Sequence, residues 1–246
     1  MSKLAVVTGA SSGIGAASAR ALAAAGFTVV CAARRLDRIE VLADEIGGRA
    51  IECDVTSDES VAALVAGVGE SLDLLVNNAG GALGQDPVEQ ADLTQWQTMC
   101  ETNFIGAARV TQALLPAIEQ ARGTVIFIAS VAGDMPYEGG AGYCGAKSAE
   151  RFLAGALRLE LNGRPVRVCE ISPGMVHTEE FSLTRFHGDQ ARADAVYADV
   201  PAPLLADDIA DAVVWVATRP PHVNIDHMTV RPLAQAAQWK LFRGEI

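Results

Sequence analysis

Tyr143 and Lys147 stand four residues apart in a predicted helix, so their side chains share one helix face. A phenol can donate or accept the proton in hydride transfer to a carbonyl, although its ordinary pKa of about 10 is too high for easy deprotonation at neutral pH. A lysine cation and a positively charged nicotinamide would stabilise the phenolate. The pair alone is weak evidence, because this spacing occurs by chance on many helices.

Two further polar residues could belong to the same site. Ser130 closes a predicted strand, where its hydroxyl could hold a substrate carbonyl oxygen or serve as a turn or cap serine. Asn103 lies inside a long predicted helix, where asparagine is unfavourable. We therefore expect either a local kink with a water or backbone contact, or a buried amide that the backbone satisfies.

The segment from Thr8 to Gly15 predicts a phosphate-binding turn. It follows the apolar run Leu4 to Val7 and precedes an alanine-rich helical stretch. Glycines let the backbone turn sharply towards an anion, and a helix N-terminus offers free N–H groups and a partial positive charge. A glycine turn can also merely connect a strand to a helix. The expected cofactor contacts are Gly9, Ser11, Ser12, Gly13, Ile14 and Gly15.

The second predicted strand ends at Ala33 and is followed by Arg34 and Arg35. An acid at this place would hold a ribose 2′-hydroxyl and repel a 2′-phosphate. Arginine pairs with phosphate in forked geometry, so we predict NADP(H) rather than NAD(H). Both arginines could instead be ordinary helix charges, although cations at a helix N-terminus oppose its dipole.

Two later strand ends complete the predicted cofactor contacts. Asp54, beside Val55, could accept a hydrogen bond from the adenine amino group, or it could cap the next helix. Small residues after the fourth strand would let the backbone pass close to a ribose, and Asn77 there could also be a structural turn residue. The cofactor contacts predicted at these two strand ends are Asp54, Val55, Asn77, Ala79 and Gly80.

Apolar runs alternate with helical stretches along the chain, which predicts an α/β, single-domain Rossmann fold over 1–246. The apolar runs indicate a doubly wound parallel sheet of about seven strands with helices on both faces. Strands are predicted near 3–8, 27–33, 49–53, 72–76, 123–129, 165–171 and 225–230. Helices are predicted near 13–25, 35–46, 57–68, 92–120, 142–162 and 206–218. The irregular stretch 174–205 is a predicted substrate lid, and 231–246 a C-terminal tail.

Composition excludes several classes of protein. The net charge of −11 argues against a nucleic-acid partner. The five cysteines are scattered without a metal-binding pattern, which predicts reduced thiols and no metal. No apolar run approaches the roughly 20 residues that span a bilayer, and the chain enters its first strand without a signal peptide. We therefore expect a cytoplasmic protein with no membrane partner.

In this order and on these elements, the motifs resemble those of the short-chain dehydrogenase/reductase family over essentially the whole chain. The motifs are Thr8-Gly9-x-x-x-Gly13-x-Gly15, Asn77-Asn78-Ala79-Gly80, Asn103, Ser130, Tyr143-x-x-x-Lys147 and Pro173-Gly174. The resemblance implies that Tyr143 is the general acid/base and that Lys147 binds the nicotinamide ribose and makes the phenol more acidic. It further implies that Ser130 orients the substrate oxygen and that Asn103 anchors a water in a proton relay.

The resemblance also implies a reaction and further cofactor contacts. Hydride would move between nicotinamide C4 and the substrate carbon, with Tyr143 supplying or removing the proton on oxygen. Thr178 would contact the nicotinamide carboxamide. The remaining implied cofactor contacts are Pro173, Gly174 and Val176.

The last third of the chain resembles NADP-dependent 3-hydroxy acid dehydrogenases, which act on serine, allo-threonine and related compounds. The residues that carry this likeness run from Glu180 to Asp189 and from His222 to Pro232. Arg185 is a candidate partner for a substrate carboxylate, or else a surface arginine of a mobile lid. The alternatives are a reductase of bulkier aldehydes or ketones, and a non-catalytic NADP-binding regulator. Apolar residues in the tail predict a subunit contact, and the family is commonly tetrameric, so we expect a tetramer or dimer.

Overall fold

Seven parallel strands form the central sheet of the computed structural model, which describes residues 2–245. The strands along the chain are β1 (Lys3–Thr8), β2 (Phe27–Ala33), β3 (Arg49–Glu52), β4 (Leu74–Asn77), β5 (Thr124–Ile128), β6 (Arg167–Pro173), β7 (Val176–His177), β8 (Leu204–Leu205), β9 (His227–Val230), β10 (Gln235–Ala237) and β11 (Lys240–Leu241). The sheet order is β3-β2-β1-β4-β5-β6-β9, while β7 pairs with β8 and β10 with β11. The predicted α/β doubly wound fold is confirmed.

Helices cover both faces of this sheet. They are α1 (Gly13–Ala24), α2 (Leu36–Ile46), α3 (Asp58–Val68), α4 (Leu93–Cys100), α5 (Gly106–Ala121), α6 (Ala141–Glu160), α7 (Phe181–Arg185), α8 (Gln190–Tyr197) and α9 (Ala206–Ala217). Val7 of β1 packs in the core beneath α1, α2 and α9, whereas its neighbour Val6 packs beneath α3, α5 and α6. Successive strand residues point to opposite faces, so apolar runs bury both faces of the sheet.

The chain order reverses at β1, which lies between β2 and β4. In open α/β sheets a crevice forms at such a reversal, outside the carboxyl ends of the strands. The glycine turn after β1 and the polar residues after β4, β5 and β6 therefore meet at one edge. Among residues 2–245, no helix is long and apolar enough to cross a membrane.

Three segments differ from the predictions. The helix predicted over 92–120 is two helices, α4 and α5, joined by a π-helical turn at Glu101–Ile105. The stretch 174–205, predicted to be irregular, contains α7, α8 and the β7–β8 pair. The tail contains the β10–β11 hairpin. Helices of five and eight residues and strands of two or three residues are too short to show a clear hydrophobic period.

Candidate active site

A cleft of about 870 Å³ lies along the carboxyl edge of the sheet. Most of the residues predicted for the cofactor and the chemistry line this one cleft. These are Gly9, Ser11, Ser12, Gly13, Ile14, Arg34, Arg35, Asp54, Val55, Ala79, Gly80, Ser130, Tyr143, Lys147, Pro173, Gly174, Val176, Thr178 and Arg185. Gly15, Asn77 and Asn103 lie outside this lining.

The glycine turn brings α1 close to the end of β1. Gly9 and Gly13 have φ values of +64° and +52°, in the left-handed region that favours glycine. A Cβ at Gly15 would lie 2.3 Å from the carbonyl oxygen of Gly9. Gly15 thus allows the helix to pack against the turn, while the other predicted turn residues line the cleft.

Arg35 is held at the cleft by partners on two segments. Its guanidinium donates to the hydroxyls of Ser11 and Ser12 over 2.8 to 3.1 Å. It also donates to both carboxylate oxygens of Glu180, in the segment 174–205, over 2.9 and 2.8 Å. The hydrogen bond from Arg35 lowers the pKa of Glu180 to about 2. Arg34 lines the edge of the cleft but is exposed. Arg35 is therefore held in place by hydrogen bonds more firmly than Arg34.

Asp54 lines the cleft and does not cap the following helix. Its Oδ1 accepts hydrogen bonds from the N–H and the hydroxyl of Thr56 at 2.9 and 2.8 Å. The N–H bond holds the pKa of the Asp54 carboxyl below its usual range. The cap of α3 is Ser57, whose Oγ accepts from the N–H of Ser60. The alternative in which Asp54 caps the helix is therefore wrong.

Asn77 lies behind the cleft, whereas its neighbour Asn78 lines it. The Asn77 amide donates to the Thr111 hydroxyl at 2.8 Å and is buried. Asn78 donates through Nδ2 to the carbonyl of Thr8 at 3.0 Å, which joins the ends of β1 and β4. Of these two neighbours, it is Asn78 whose side chain lines the cleft, whereas the cofactor contact was predicted at Asn77.

Asn103 sits in the π-helical turn and is fully buried. Its Oδ1 accepts from the N–H of Gly81 at 3.0 Å, and its Nδ2 donates to the carbonyls of Gly81 and Met99 at 3.0 and 2.8 Å. The predicted interruption of the helix is present, and the backbone satisfies the amide. Because the side chain lies outside the cleft lining, its structural contribution is to hold the Gly80-Gly81 turn, which does line the cleft.

Ser130 reaches the cleft from the end of β5. Its Oγ accepts a hydrogen bond from the N–H of Ala132 at 3.1 Å, so it caps a short 3₁₀ turn at Val131–Gly133. It also lines the cleft, so the cap function and the predicted substrate contact are compatible. A hydroxyl that accepts one bond can still donate its own hydrogen.

Tyr143 and Lys147 enter the cleft from one face of α6. Tyr143 is buried, and its ring packs edge-on against Phe181 of α7 with centroids 5.9 Å apart. Lys147 is buried as well, and its Nζ donates to the carbonyl of Ile128 at 2.8 Å. The phenol is therefore positioned by packing against α7, and the ammonium by a hydrogen bond to β5.

Arg185 extends from α7 into the cleft. Its Nε donates to the carbonyl of Gly84 at 3.0 Å, and its guanidinium lies 5.4 and 5.9 Å from the ring centroids of Tyr137 and Phe186. Its second terminal nitrogen, Nη2, is buried and has no hydrogen-bond partner among residues 2–245. The alternative of a loose surface arginine does not fit these contacts. Forked guanidinium groups of this kind pair well with carboxylates.

A model of the short chain dehydrogenase family matches residues 3–185. The chain belongs to the short-chain dehydrogenase family. The resemblance seen in the motifs is thereby confirmed, and the protein is an oxidoreductase of this family. An uncharacterized oxidoreductase of Mycobacterium tuberculosis is 55% identical over 236 residues, which cover 96% of this chain and 93% of the relative.

Similarity to functionally named members of the family is also extensive. Serine 3-dehydrogenase of Rhizobium radiobacter is 41% identical over 249 residues, which cover 99% of both proteins. The closed form of a serine dehydrogenase complexed with NADP⁺ superposes with a TM-score of 0.91 at 37% identity, over 95% of this chain and 96% of that chain. The fold of this short-chain dehydrogenase therefore matches that relative along nearly its whole length.

Sequence reasoning missed several residues at the site. Asn78 belongs to the motif Asn77-Asn78-Ala79-Gly80, but only its neighbours are among the predicted contacts, and Asn78 itself lines the cleft. Glu180 is visible in the sequence as an acidic residue within the predicted lid. Its ion pair with Arg35 could not be predicted, because Arg35 lies 145 residues earlier in the chain. Gln238 and Arg243 of the tail also line the cleft, and only their place in the folded chain reveals it.

Proposed function

We propose that this short-chain dehydrogenase is an NADP(H)-dependent enzyme that transfers a hydride between nicotinamide and a small hydroxy or oxo compound. The substrate class we propose is a 3-hydroxy acid such as serine or allo-threonine. The observation that carries the proposal is the shared lining of one cleft by the glycine turn and by Ser130, Tyr143 and Lys147. The serine dehydrogenase relatives support the substrate class.

The residues of the cleft fit NADP(H). Neither Gly9 nor Gly15 has room for a Cβ. A Cβ at Gly9, for example, would lie 2.9 Å from the Cα of Ala79. Glycines at these positions therefore leave the turn backbone open to a phosphate group. At the end of β2, Ala33 stands where an acid would repel a 2′-phosphate, and Arg35 carries a positioned guanidinium. When bound, the nicotinamide would supply or accept the hydride.

The proton chemistry falls to side chains of this chain. In oxidation, the Tyr143 phenolate would remove the proton from the substrate hydroxyl; in reduction, the phenol would return it. The Lys147 ammonium would stabilise the phenolate through its charge. The Ser130 hydroxyl would hold the substrate oxygen beside the phenol, since it keeps a hydrogen to donate.

The carboxylate of a hydroxy acid would bind Arg185. The buried Nη2 has no partner in the part of the chain that the structure describes, and an unsatisfied buried donor is costly, so a ligand anion would complete its hydrogen bonds. Tyr137 and Phe186 beside the guanidinium exclude water and strengthen that pairing. We further propose a homo-oligomer, because Trp239 and Phe242 of the tail are 65% and 50% exposed.

The decisive experiment compares the wild type with Tyr143→Phe. Turnover is measured with serine, allo-threonine, 3-hydroxyisobutyrate and bulky ketones, and NADPH binding is measured by fluorescence. We expect kcat to fall by at least about a thousandfold while the NADPH dissociation constant stays within about threefold. Equal activity of the two proteins would overturn the catalytic assignment. Binding of NADPH by a wild type that turns over none of these compounds would favour the non-catalytic regulator.

A further inference from the structure

Lys147 has a second partner deep in the protein, the carboxylate of Glu150. The distance from Lys147 Nζ to Glu150 Oε2 is 2.7 Å, and the two side chains are 6% and 2% exposed. The residues are three apart on α6, so helix geometry places them side by side. An ammonium has three hydrogens. Glu150 and the Ile128 carbonyl take two of them, which leaves one for the cleft.

Burial disfavours the charged form of both residues in this pair. It raises the pKa of Glu150, and Lys147 opposes that effect. For Lys147, burial disfavours the charge, but Glu150, Tyr143 and Glu170 outweigh it, so the pKa of the lysine is raised. The carboxylate and the ammonium therefore support each other's charge.

Further charged groups face Glu150 from the neighbouring elements. Glu170 of β6 is buried and raises the pKa of Glu150 in the same direction as burial. The Glu170 Oε1 lies 3.6 Å from Nε2 of His227 on β9, which is partly exposed, and its Oε2 lies 3.8 Å from Nε of Arg151. Arg151 also contacts Asp134.

This outer group has the donor set of a metal site, since ligand atoms of Asp134, Glu170 and His227 lie within 4.8 Å of one another. The Arg151 guanidinium already supplies the positive charge there. The row of charges from Lys147 through Glu150 and Glu170 to His227 therefore runs from the cleft to the protein surface.

We propose that Glu150 is a positioning residue that fixes the Lys147 ammonium and, through its charge, sets how strongly that ammonium stabilises the Tyr143 phenolate. An ionised carboxylate at hydrogen-bond distance offsets much of the lysine charge felt at Tyr143. A neutral side chain of the same shape at position 150 would leave that charge uncompensated. This inference rests on the proposed catalytic function of Tyr143 and Lys147.

The test compares Glu150→Gln with the wild type across pH. Glutamine keeps the shape and a hydrogen-bond acceptor but removes the charge. We expect the acidic limb of the kcat profile for alcohol oxidation to move to lower pH by about 0.5 to 1 unit. The midpoint of tyrosinate absorbance, taken as the difference from a Tyr143→Phe background, should move in the same direction. NADPH affinity should change by less than about twofold, because Glu150 lies outside the cleft lining.

Two further variants make the test specific. Glu150→Leu removes both charge and acceptor, so we expect kcat to fall about tenfold or more at every pH, with the plateau restored in Glu150→Gln. Glu160→Gln, at an exposed glutamate at the end of α6, should reproduce the wild-type profile.

Superimposable profiles of wild type and Glu150→Gln in an active, folded enzyme would overturn this inference alone. Absence of turnover in the wild type would count against the proposed function. The tyrosinate titration would still decide the electrostatic claim in that case, and an unchanged midpoint would refute it.

Discussion

Arg35 at the end of β2 and Glu180 in the segment 174–205 form a forked ion pair, with hydrogen bonds of 2.9 and 2.8 Å. The residues are 145 positions apart, so the pair fastens this segment to the first half of the sheet. We propose the same guanidinium as the partner of the 2′-phosphate. The position of that segment and the choice of cofactor would then depend on one side chain.

Replacing Glu180 should change cofactor affinity selectively. In Glu180→Gln the negative charge beside the expected phosphate position is removed, so we expect NADPH to bind about three- to tenfold more tightly, with NADH unchanged. Fluorescence titrations with both cofactors would measure this. The same ion pair affects stability, because it lowers the pKa of the Glu180 carboxyl to about 2. Above its ordinary pKa the ionised carboxylate stabilises the folded protein, and this contribution is lost as the pH falls from that value towards 2. Equal tightening of NADH binding would contradict the prediction.

The two arginines after β2 should differ in their effect on cofactor preference. Arg35→Ala should lower kcat/KM for NADPH by more than about tenfold and leave kcat/KM for NADH within about twofold, because a charge-assisted phosphate contact is lost. Arg34→Ala should act in the same direction but less, since Arg34 is exposed. Arg20→Ala is the matched control, because Arg20 forms a forked surface pair with Glu45. A wild type that prefers NADH would refute the interpretation of this strand end.

Substrate recognition by Arg185 can be tested with acid and neutral substrates. In Arg185→Ala, KM for a 3-hydroxy acid should rise about 10- to 100-fold, whereas KM for a neutral alcohol of similar size should stay nearly constant. Steady-state kinetics would measure both. Arg219→Ala is a suitable control, because that guanidinium also stacks on an aromatic ring, Trp215, and lies outside the cleft lining. Equal losses for both substrates would show that Arg185 supports the local structure through its bond to Gly84 and does not bind the carboxylate.

Asn103 should matter for stability as well as for activity. Asn103→Ala leaves the Gly81 N–H and two backbone carbonyls without their buried partners, so we expect a loss of about 2 to 4 kcal/mol in the free energy of unfolding. Urea unfolding would measure it, with the exposed Asn162→Ala as the control. An Asn103→Ala protein of wild-type stability would show that the backbone finds other partners.

Local chemistry predicted much of this molecule. The strand of Val6 and Val7 is apolar on both faces because helices cover both, and that pattern is visible in the residues alone. The turn at Gly9 was equally predictable, because few other residues fit its backbone conformation. Features that depend on a short segment and its immediate neighbours were thus within reach of sequence reasoning.

Features that depend on distant partners were not. Asn77 and Asn78 point to opposite sides of a strand end, and choosing between them requires the register of β4 against β1 to the exact residue. Glu150 looks like one more acidic residue on a helix, and only the packing of α6 on β6 shows that its carboxylate is buried beside Glu170. The partner of Arg35 was hidden for the same reason.

The hydrogen bonds of Arg243 bear on how the protein is handled. Its guanidinium donates to the carbonyls of Val196 and Ala198 at the end of α8, and the N–H of Gly244 donates to the backbone carbonyl of Asp199. The free carbonyls at a helix end need such donors. A purification tag fused behind these residues would disturb the hydrogen bonds that hold the end of α8, so kinetic measurements are better made with a tag at the other end of the chain.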